Sequence, residues 1–92
     1  MVYEWDEAKR RKNLVKHGLD FRDAIHVFDD PNGIEFIDAR FDYCALRLVR
    51  IGLLCGVLVA VVIYADREDA IRIISFRKAN KRESSIYEKG NR

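Results

Sequence analysis

The chain has 92 residues, of which 49% are hydrophobic and 35% charged, and its formal net charge is +2. This composition excludes an intrinsically disordered protein and predicts one small domain that covers residues 1–92. The longest uncharged stretch, 51–65, is shorter than the ~20 residues that span a bilayer, and the first residues lack a signal-peptide pattern. We therefore expect a cytoplasmic protein.

The small net charge hides three segments of alternating sign. Residues 8–18 carry five cations and no acid, residues 20–42 carry seven acids and two cations, and residues 67–92 carry eight cations and four acids. Two basic segments that meet in the folded protein would attract a phosphate-rich partner, whereas solvated helix faces are the ordinary alternative. Cys44 and Cys55 have no metal-ligand spacing with the histidines, so we expect free buried thiols, no metal and no cofactor.

The N-terminal third predicts a short strand and two helices. Residues 2–5 alternate in polarity, which indicates a brief edge strand or an anchoring arm. Asp6 is a good N-cap, and the segment 7–17 is rich in helix formers and ends at Gly18. Asp20 caps a second helix, whose apolar residues share one face: Phe21, Ala24, Ile25 and Phe28.

From residue 34 onward the apolar pattern is typical of strands. The segments 34–38, 45–51, 57–65 and 70–76 predict four strands, with a turn at 52–56 between the second and third. Their short connections imply an antiparallel meander. A final helix is predicted from Arg77 or Lys78 to residue 89, which gives an α+β fold of order (β)ααββββα with helices on one face of a twisted sheet.

The segment 72–77, Arg-Ile-Ile-Ser-Phe-Arg, has a cation at each end of an apolar strand. Successive side chains of a strand point to opposite faces, so Ile71 and Ile73 share one face and Arg72 lies on the other. A forked guanidinium suits phosphate, and Arg72 and Arg77 are therefore candidate phosphate ligands. Ion pairs with neighbouring acidic residues are the structural alternative.

An ordered set of motifs spans nearly the whole chain. Its members are Glu4-Trp5-Asp6, Lys9, Asn13, Lys16-His17-Gly18, Phe21, Ala24, Val27-Phe28-Asp29-Asp30, Arg47, Gly52, Arg72-Ile-Ile-Ser75, Arg77, Glu83 and Tyr87. In this order they resemble the BrnT family of toxins. The resemblance implies a RelE-like fold and a bacterial type II toxin that cleaves RNA without a metal and inhibits translation and growth. It also implies a BrnA-type antitoxin with an operator-binding ribbon-helix-helix domain, in a complex of two toxins and two antitoxins.

The candidate site residues take roles that suit such a reaction. Arg72, Arg77 and Arg47 would bind and stabilise the phosphate. His17 would be the acid or base because histidine titrates near neutral pH, with capping of a helix C-terminus as the alternative. Tyr87 would stack on a base or donate a proton, or would simply pack in the core. Contacts with the RNA backbone are expected from a set of basic residues: Lys9, Lys16, Lys78, Lys81 and Arg82.

Two other functions fit parts of the sequence. The helices around Gly18 would form a helix-turn-helix in a non-catalytic nucleic-acid-binding module, although the acidic second helix disfavours binding in a DNA groove. A degenerate toxin that serves only as partner of a DNA-binding antitoxin is the other reading. It rests on Ala45 and Leu46, which stand where family members usually carry a glutamate shortly before Arg47.

Overall fold

The computed structural model describes residues 2–38, 46–67 and 69–91, which form a five-stranded sheet and three α-helices. The sheet order is β1-β5-β4-β3-β2, with β1 parallel to β5 and the other neighbours antiparallel. The predicted α+β class and element order are confirmed. In chain order the elements are β1 (Val2–Glu4), α1 (Glu7–His17), α2 (Ala24–Phe28), β2 (Ile34–Ile37), β3 (Arg47–Leu54), β4 (Leu58–Arg67), β5 (Ala70–Lys78) and α3 (Lys81–Gly90).

α1 begins and ends where the sequence predicts. The Asp6 side chain accepts hydrogen bonds from the N–H groups of Ala8 and Lys9 at 2.9 and 3.1 Å. Gly18 follows the helix with a φ of +73°, the left-handed conformation that glycine adopts without steric cost.

The second predicted helix is divided in two. A 3₁₀ turn, Phe21–Asp23, leads into the short α2. A 3₁₀ turn has three residues per turn and brings every third residue inward. The buried side chains are accordingly Phe21, Ala24 and Val27, whereas Ile25 and Phe28, which the prediction placed on the buried face, are only partly buried.

The hairpin of β3 and β4 is longer than predicted. β3 continues through Gly52, so the predicted turn at 52–56 is wrong, and the turn lies at residues 55–57. Gly52 allows close packing against α2, because a Cβ atom there would lie 3.1 Å from Val27 and 3.3 Å from Asp30.

Cys55 lies on this hairpin turn and is exposed, so the prediction of a buried thiol is wrong for it. Its φ of +52° is that of a tight turn, which holds the side chain away from the sheet. Cys44 lies outside the described residues.

Each face of the sheet carries a packed apolar cluster, and the prediction that the helices share one face is wrong. One face, here called the α2 face, is covered by Phe21, Ala24 and Val27. The other, here called the α3 face, is covered in part by Tyr87 of α3. Ala79 is buried in the second cluster, so the chain has crossed the sheet before α3 starts.

α3 also starts later than predicted, at Lys81. β5 continues to Lys78, and Asn80 is the N-cap of a capping box with Glu83. In this arrangement the Asn80 side chain accepts from the Glu83 N–H, and the Glu83 carboxylate accepts from the Asn80 N–H. Among the described residues, none of the helices combines the length and hydropathy that crossing a membrane requires.

Candidate active site

An irregularity in β5 places two candidate arginines on the same face of the sheet. Ile63 of β4 pairs with Ser75, but the next residue, Tyr64, pairs with Ile73, so Ile74 is an extra residue. Residues five apart in a regular strand point to opposite faces. The extra residue cancels that inversion, and Arg72 and Arg77 both lie on the α3 face.

Arg47 lies on the same face, on the other side of β4. Arg47 pairs with Ala65, and Ala65 pairs in turn with Arg72, so the two arginines flank a small side chain. Two strand spacings separate their backbones, which amounts to about 10 Å. Arginine side chains are long enough to approach one ligand from both sides of such a gap.

Arg77 is held by a carboxylate at the start of α3. Its two terminal nitrogens donate to the two oxygens of Glu83, each at 2.7 Å. Because Glu83 is also fixed by the capping box, the guanidinium fork of Arg77 has a defined orientation. Arg72 is held more loosely, with its Nη1 3.8 Å from Glu4 Oε1 on the neighbouring strand. The ion pair with Glu83, expected as the structural alternative, is therefore present for Arg77, whereas Arg72 pairs with Glu4, a partner that the sequence did not predict.

α1 lies along the edge of β5, where Asn13 anchors it. The buried Asn13 amide donates to the Phe76 carbonyl at 2.6 Å and accepts from the Phe76 N–H at 3.2 Å. Lys9 and Lys16 are exposed and lie four residues before and three residues after Asn13, which places them on one side of the helix. Because α1 is anchored to the strand that carries Arg72 and Arg77, this basic side is a candidate extension of the arginine site.

His17 lies on the other side of α1. It shares that side with Arg10, which pairs with Asp20 at 3.1 Å beside the 3₁₀ turn. No hydrogen bond or ion pair within the described parts of the chain joins His17 to Arg72 or Arg77. Within the described residues, Arg72 and Arg77 form their ion pairs with carboxylates, and the catalytic role of His17 stays a prediction.

Tyr87 is buried, with 8% of its surface exposed, and its hydroxyl donates to Asp30 Oδ2 at 2.6 Å. Burial, and then the hydrogen bond and charge of the Asp30 carboxylate, together raise the pKa of Tyr87 to about 12. This contact joins α3 to the loop after α2, which is a packing role.

An open cleft of about 570 Å³ lies beside Arg77, between β2 and α3. The exposed Arg82 lines it, while Lys78 and Lys81 lie close by in the chain and are also exposed. Apolar side chains of the sheet and of α3 form much of its wall, and the acidic Asp38 also lines it. The residues that line the cleft include Phe36, Asp38, Val49, Ile63, Arg77 and Ile86.

The chain is similar to a known protein family in both sequence and structure. The sequence profile described as "Ribonuclease toxin, BrnT, of type II toxin-antitoxin system" matches residues 5–83. The chain belongs to the BrnT family. The crystal structure of the Brucella abortus ribonuclease toxin BrnT, solved at 1.1 Å, is similar to the chain with 30% sequence identity and a TM-score of 0.68. That similarity covers 88% of this chain and 100% of the Brucella chain. Among curated proteins, none matches.

Membership of the BrnT family confirms the resemblance read from the sequence. The family consists of ribonuclease toxins of type II systems, and such toxins have an antitoxin partner. Phe36 and Asp38 lie within the predicted strand 34–38, but they were missed as cleft residues because the sequence does not show which other elements pack beside that strand. The pairing of Phe36 with Val49, and the position of Asp38 two residues later, place both on the α3 face.

Proposed function

We propose that the chain is a metal-independent endoribonuclease that cleaves RNA on the α3 face and so inhibits translation and growth. Three arginines on one face, Arg47, Arg72 and Arg77, are the observation that best supports this site. Membership of the BrnT family supports the reaction class. The described residues contain no group of three or more His, Cys, Asp or Glu side chains suited to a metal.

The reaction we propose is transfer of the phosphate to the neighbouring 2′-oxygen. The 2′-hydroxyl passes its proton to water and its oxygen attacks phosphorus. The bond from phosphorus to the 5′-oxygen breaks, and the leaving 5′-oxygen takes up a proton from water. The transition state gathers negative charge on the phosphate oxygens. Positive groups that are already oriented toward that charge stabilise it without further reorganisation.

Arg77 and Arg72 would supply that stabilisation from the same strand, β5. Glu83 would act as a positioning residue, because it fixes the plane of the Arg77 fork. Arg47 would approach the phosphate from the far side of Ala65. The proposed machinery does not use His17 or Tyr87, whose catalytic roles stay predictions.

The RNA backbone on either side of the scissile phosphate would contact the exposed basic residues. Lys9 and Lys16 would bind it on α1, and Lys78, Lys81 and Arg82 would bind it at the junction of β5 and α3. Contacts of this kind carry little sequence information but contribute most of the electrostatic affinity.

The proposed antitoxin is a BrnA-like protein with a ribbon-helix-helix domain that binds operator DNA, in a complex of two toxins and two antitoxins. The family supports an antitoxin of some kind. Apolar residues exposed around the cleft, Phe36, Ile37 and Ile86, are suited to burial by a protein partner.

The test is induction of the chain alone in bacterial cells, with growth and total RNA integrity as readouts. We expect growth arrest and RNA loss with the wild type, and loss of both effects with Arg77→Ala and with Arg72→Ala, by at least about 100-fold in cleavage rate. Cleavage by the purified protein should persist in EDTA, because the proposed chemistry needs no metal.

Arg22→Ala is the matched control, since Arg22 is 65% exposed and lies on the 3₁₀ turn, outside the arginine site. It should remain as toxic as the wild type. Full toxicity of both Arg72→Ala and Arg77→Ala would show that the site is elsewhere. Healthy cells that contain folded wild-type chain would refute the ribonuclease and favour the degenerate partner.

A further inference from the structure

The cleft between β2 and α3 has the volume of a small-molecule binding site. Its volume of about 570 Å³ lies within the range of small-molecule sites, which are mostly apolar with a few polar groups. Val49 and Ile63 of the sheet and Ile86 of α3 form its apolar surface. Arg77, a proposed phosphate ligand, lines the same cleft, so a ligand there would lie next to the scissile phosphate.

Phe36 provides an aromatic surface for stacking. It lies on edge strand β2, pairs with Val49, and is 43% exposed although it is a large apolar residue. Single-stranded RNA is recognised largely by bases that stack on such rings, at about 1–3 kcal/mol for each base. The exposed ring next to a phosphate ligand therefore favours a nucleobase as the occupant.

Asp38 is a buried carboxylate that lines the same cleft. It lies two residues after Phe36, on the same face, and only 5% of its surface is exposed. An ionised carboxylate only accepts hydrogen bonds, and its two oxygens offer about four acceptor positions, so it can serve a ligand beside its protein partners. Guanine is the base whose pairing edge presents two adjacent donors, N1–H and the N2 amino group.

We propose that this cleft binds a guanine base of the RNA, stacked on Phe36 and hydrogen-bonded through its N1–H and N2–H groups to Asp38. The inference rests on the proposed ribonuclease function, because it treats RNA as the substrate and Arg77 as the phosphate ligand beside the base. It assigns the chain a base preference, and RNA cleavage next to guanosine follows from it.

The experiment is titration of the purified chain with the 3′-monophosphates of guanosine, adenosine, cytidine and uridine, followed by nuclear magnetic resonance. We expect guanosine monophosphate to bind roughly tenfold more tightly than the other three nucleotides, because one bidentate contact contributes about that much discrimination against the wrong base. Inosine monophosphate, which lacks the N2 amino group, should bind more weakly than guanosine monophosphate. Equal affinity for all four nucleotides would overturn the proposal with no variant needed.

Two variants separate the two contacts. Asp38→Asn should abolish the preference for guanosine. Phe36→Leu should lower the binding affinity for all four nucleotides by roughly fivefold or more. Asp23→Asn is the control, because it removes an exposed carboxylate on the 3₁₀ turn with the same change of charge. If Asp38→Asn does not fold, the nucleotide affinities of Phe36→Leu alone test the proposal. Retention of the full guanosine affinity by Phe36→Leu would overturn the proposal.

The outcome is distinguishable from failure of the proposed ribonuclease. RNA cleavage at every base, with equal binding of the four nucleotides, would leave the ribonuclease standing and overturn the guanine site. Selective guanosine binding that Asp38→Asn abolishes, in a chain that cleaves no RNA, would support the site and refute the ribonuclease.

Discussion

Asp30 shows how single side chains fix the elements that surround the candidate site. Its Oδ2 atom accepts from the Tyr87 hydroxyl at 2.6 Å and from the Leu53 N–H at 2.8 Å, and Oδ1 accepts from the Asn32 N–H at 2.9 Å. Burial raises the pKa of Asp30, but these hydrogen bonds and the nearby Arg50 charge lower it by more, so the net pKa is below its usual value. One carboxylate thereby ties α3 and β3 to the loop after α2.

Replacing Tyr87 by Phe removes one of these hydrogen bonds and should make stability less dependent on pH. Because the pKa of Asp30 is lowered in the folded chain, its stabilisation is complete above the unfolded pKa of about 4 and is lost as the pH falls through the folded value. We therefore expect Tyr87→Phe to lose about 1–2 kcal/mol of unfolding free energy at pH 7. The loss should be smaller at pH 3. Urea unfolding of both proteins at the two pH values measures it.

RNA cleavage by folded Tyr87→Phe separates packing from chemistry. We expect the wild-type rate at temperatures where the variant is folded, because the Tyr87 hydroxyl bonds to Asp30 and lies in the packed cluster of the α3 face. A large fall in rate without a change of unfolding free energy would instead support the catalytic role that the sequence predicts for Tyr87.

At the scale of elements, the sequence predicts those features that residues close together in the chain determine, such as the ends of a helix. Asp6 and Gly18 define α1 to the residue, because a cap and a left-handed glycine act on their own segment. The extra residue Ile74 leaves no such signal, since a bulge is defined only by pairing with a second strand. The shared face of Arg72 and Arg77 was therefore beyond prediction from the sequence.

α3 shows both what the sequence contained and what it did not. Asn80 and Glu83 have the spacing of a capping box, a local signal that was present in the sequence and would have placed the helix correctly. The face on which α3 packs depends on Ala79 and Tyr87 meeting the far side of the sheet. The cleft that contains Phe36 and Asp38 exists only because of that packing.

Asn13 is the element-scale contact that fixes α1 against β5. It makes two hydrogen bonds with Phe76 and a third to the Leu19 carbonyl at 3.0 Å. We expect Asn13→Ala to lower the unfolding free energy by about 2–4 kcal/mol, because it leaves buried backbone groups without partners. Urea unfolding measures the loss. Asn32→Ala, an identical change at an exposed position, should stay within about 0.5 kcal/mol of the wild type, and an equal loss there would contradict the assignment.

At the scale of the whole molecule, the acidic and basic segments of the sequence lie on different elements of the fold. Acidic Asp20, Asp23 and Asp29 surround the 3₁₀ turn and α2. The lysines of α1 lie on a helix that is anchored to β5, the strand that also carries Arg72 and Arg77. A net charge of +2 therefore coexists with an uneven distribution of basic and acidic residues between elements.

This distribution predicts that RNA affinity depends on where a cation lies as well as on how many there are. Lys9→Ala combined with Lys16→Ala should weaken binding of a non-cleavable single-stranded RNA with 2′-O-methyl groups. Each lost phosphate contact reduces the magnitude of the slope of log affinity against log salt concentration by about 0.7. The slope of the double variant should therefore be smaller in magnitude than that of the wild type by about 1.4. Fluorescence anisotropy at several salt concentrations measures the slope.

The control removes the same two charges from other exposed positions. Arg11 and Arg22 are both exposed, Arg11 lies away from the side of α1 that carries Lys9 and Lys16, and Arg22 is on the 3₁₀ turn. Arg11→Ala combined with Arg22→Ala should keep the wild-type slope, because those positions do not adjoin the arginine site. If both double variants lower the slope equally, total charge rather than its position governs RNA binding, and the proposed path of the RNA along α1 is wrong.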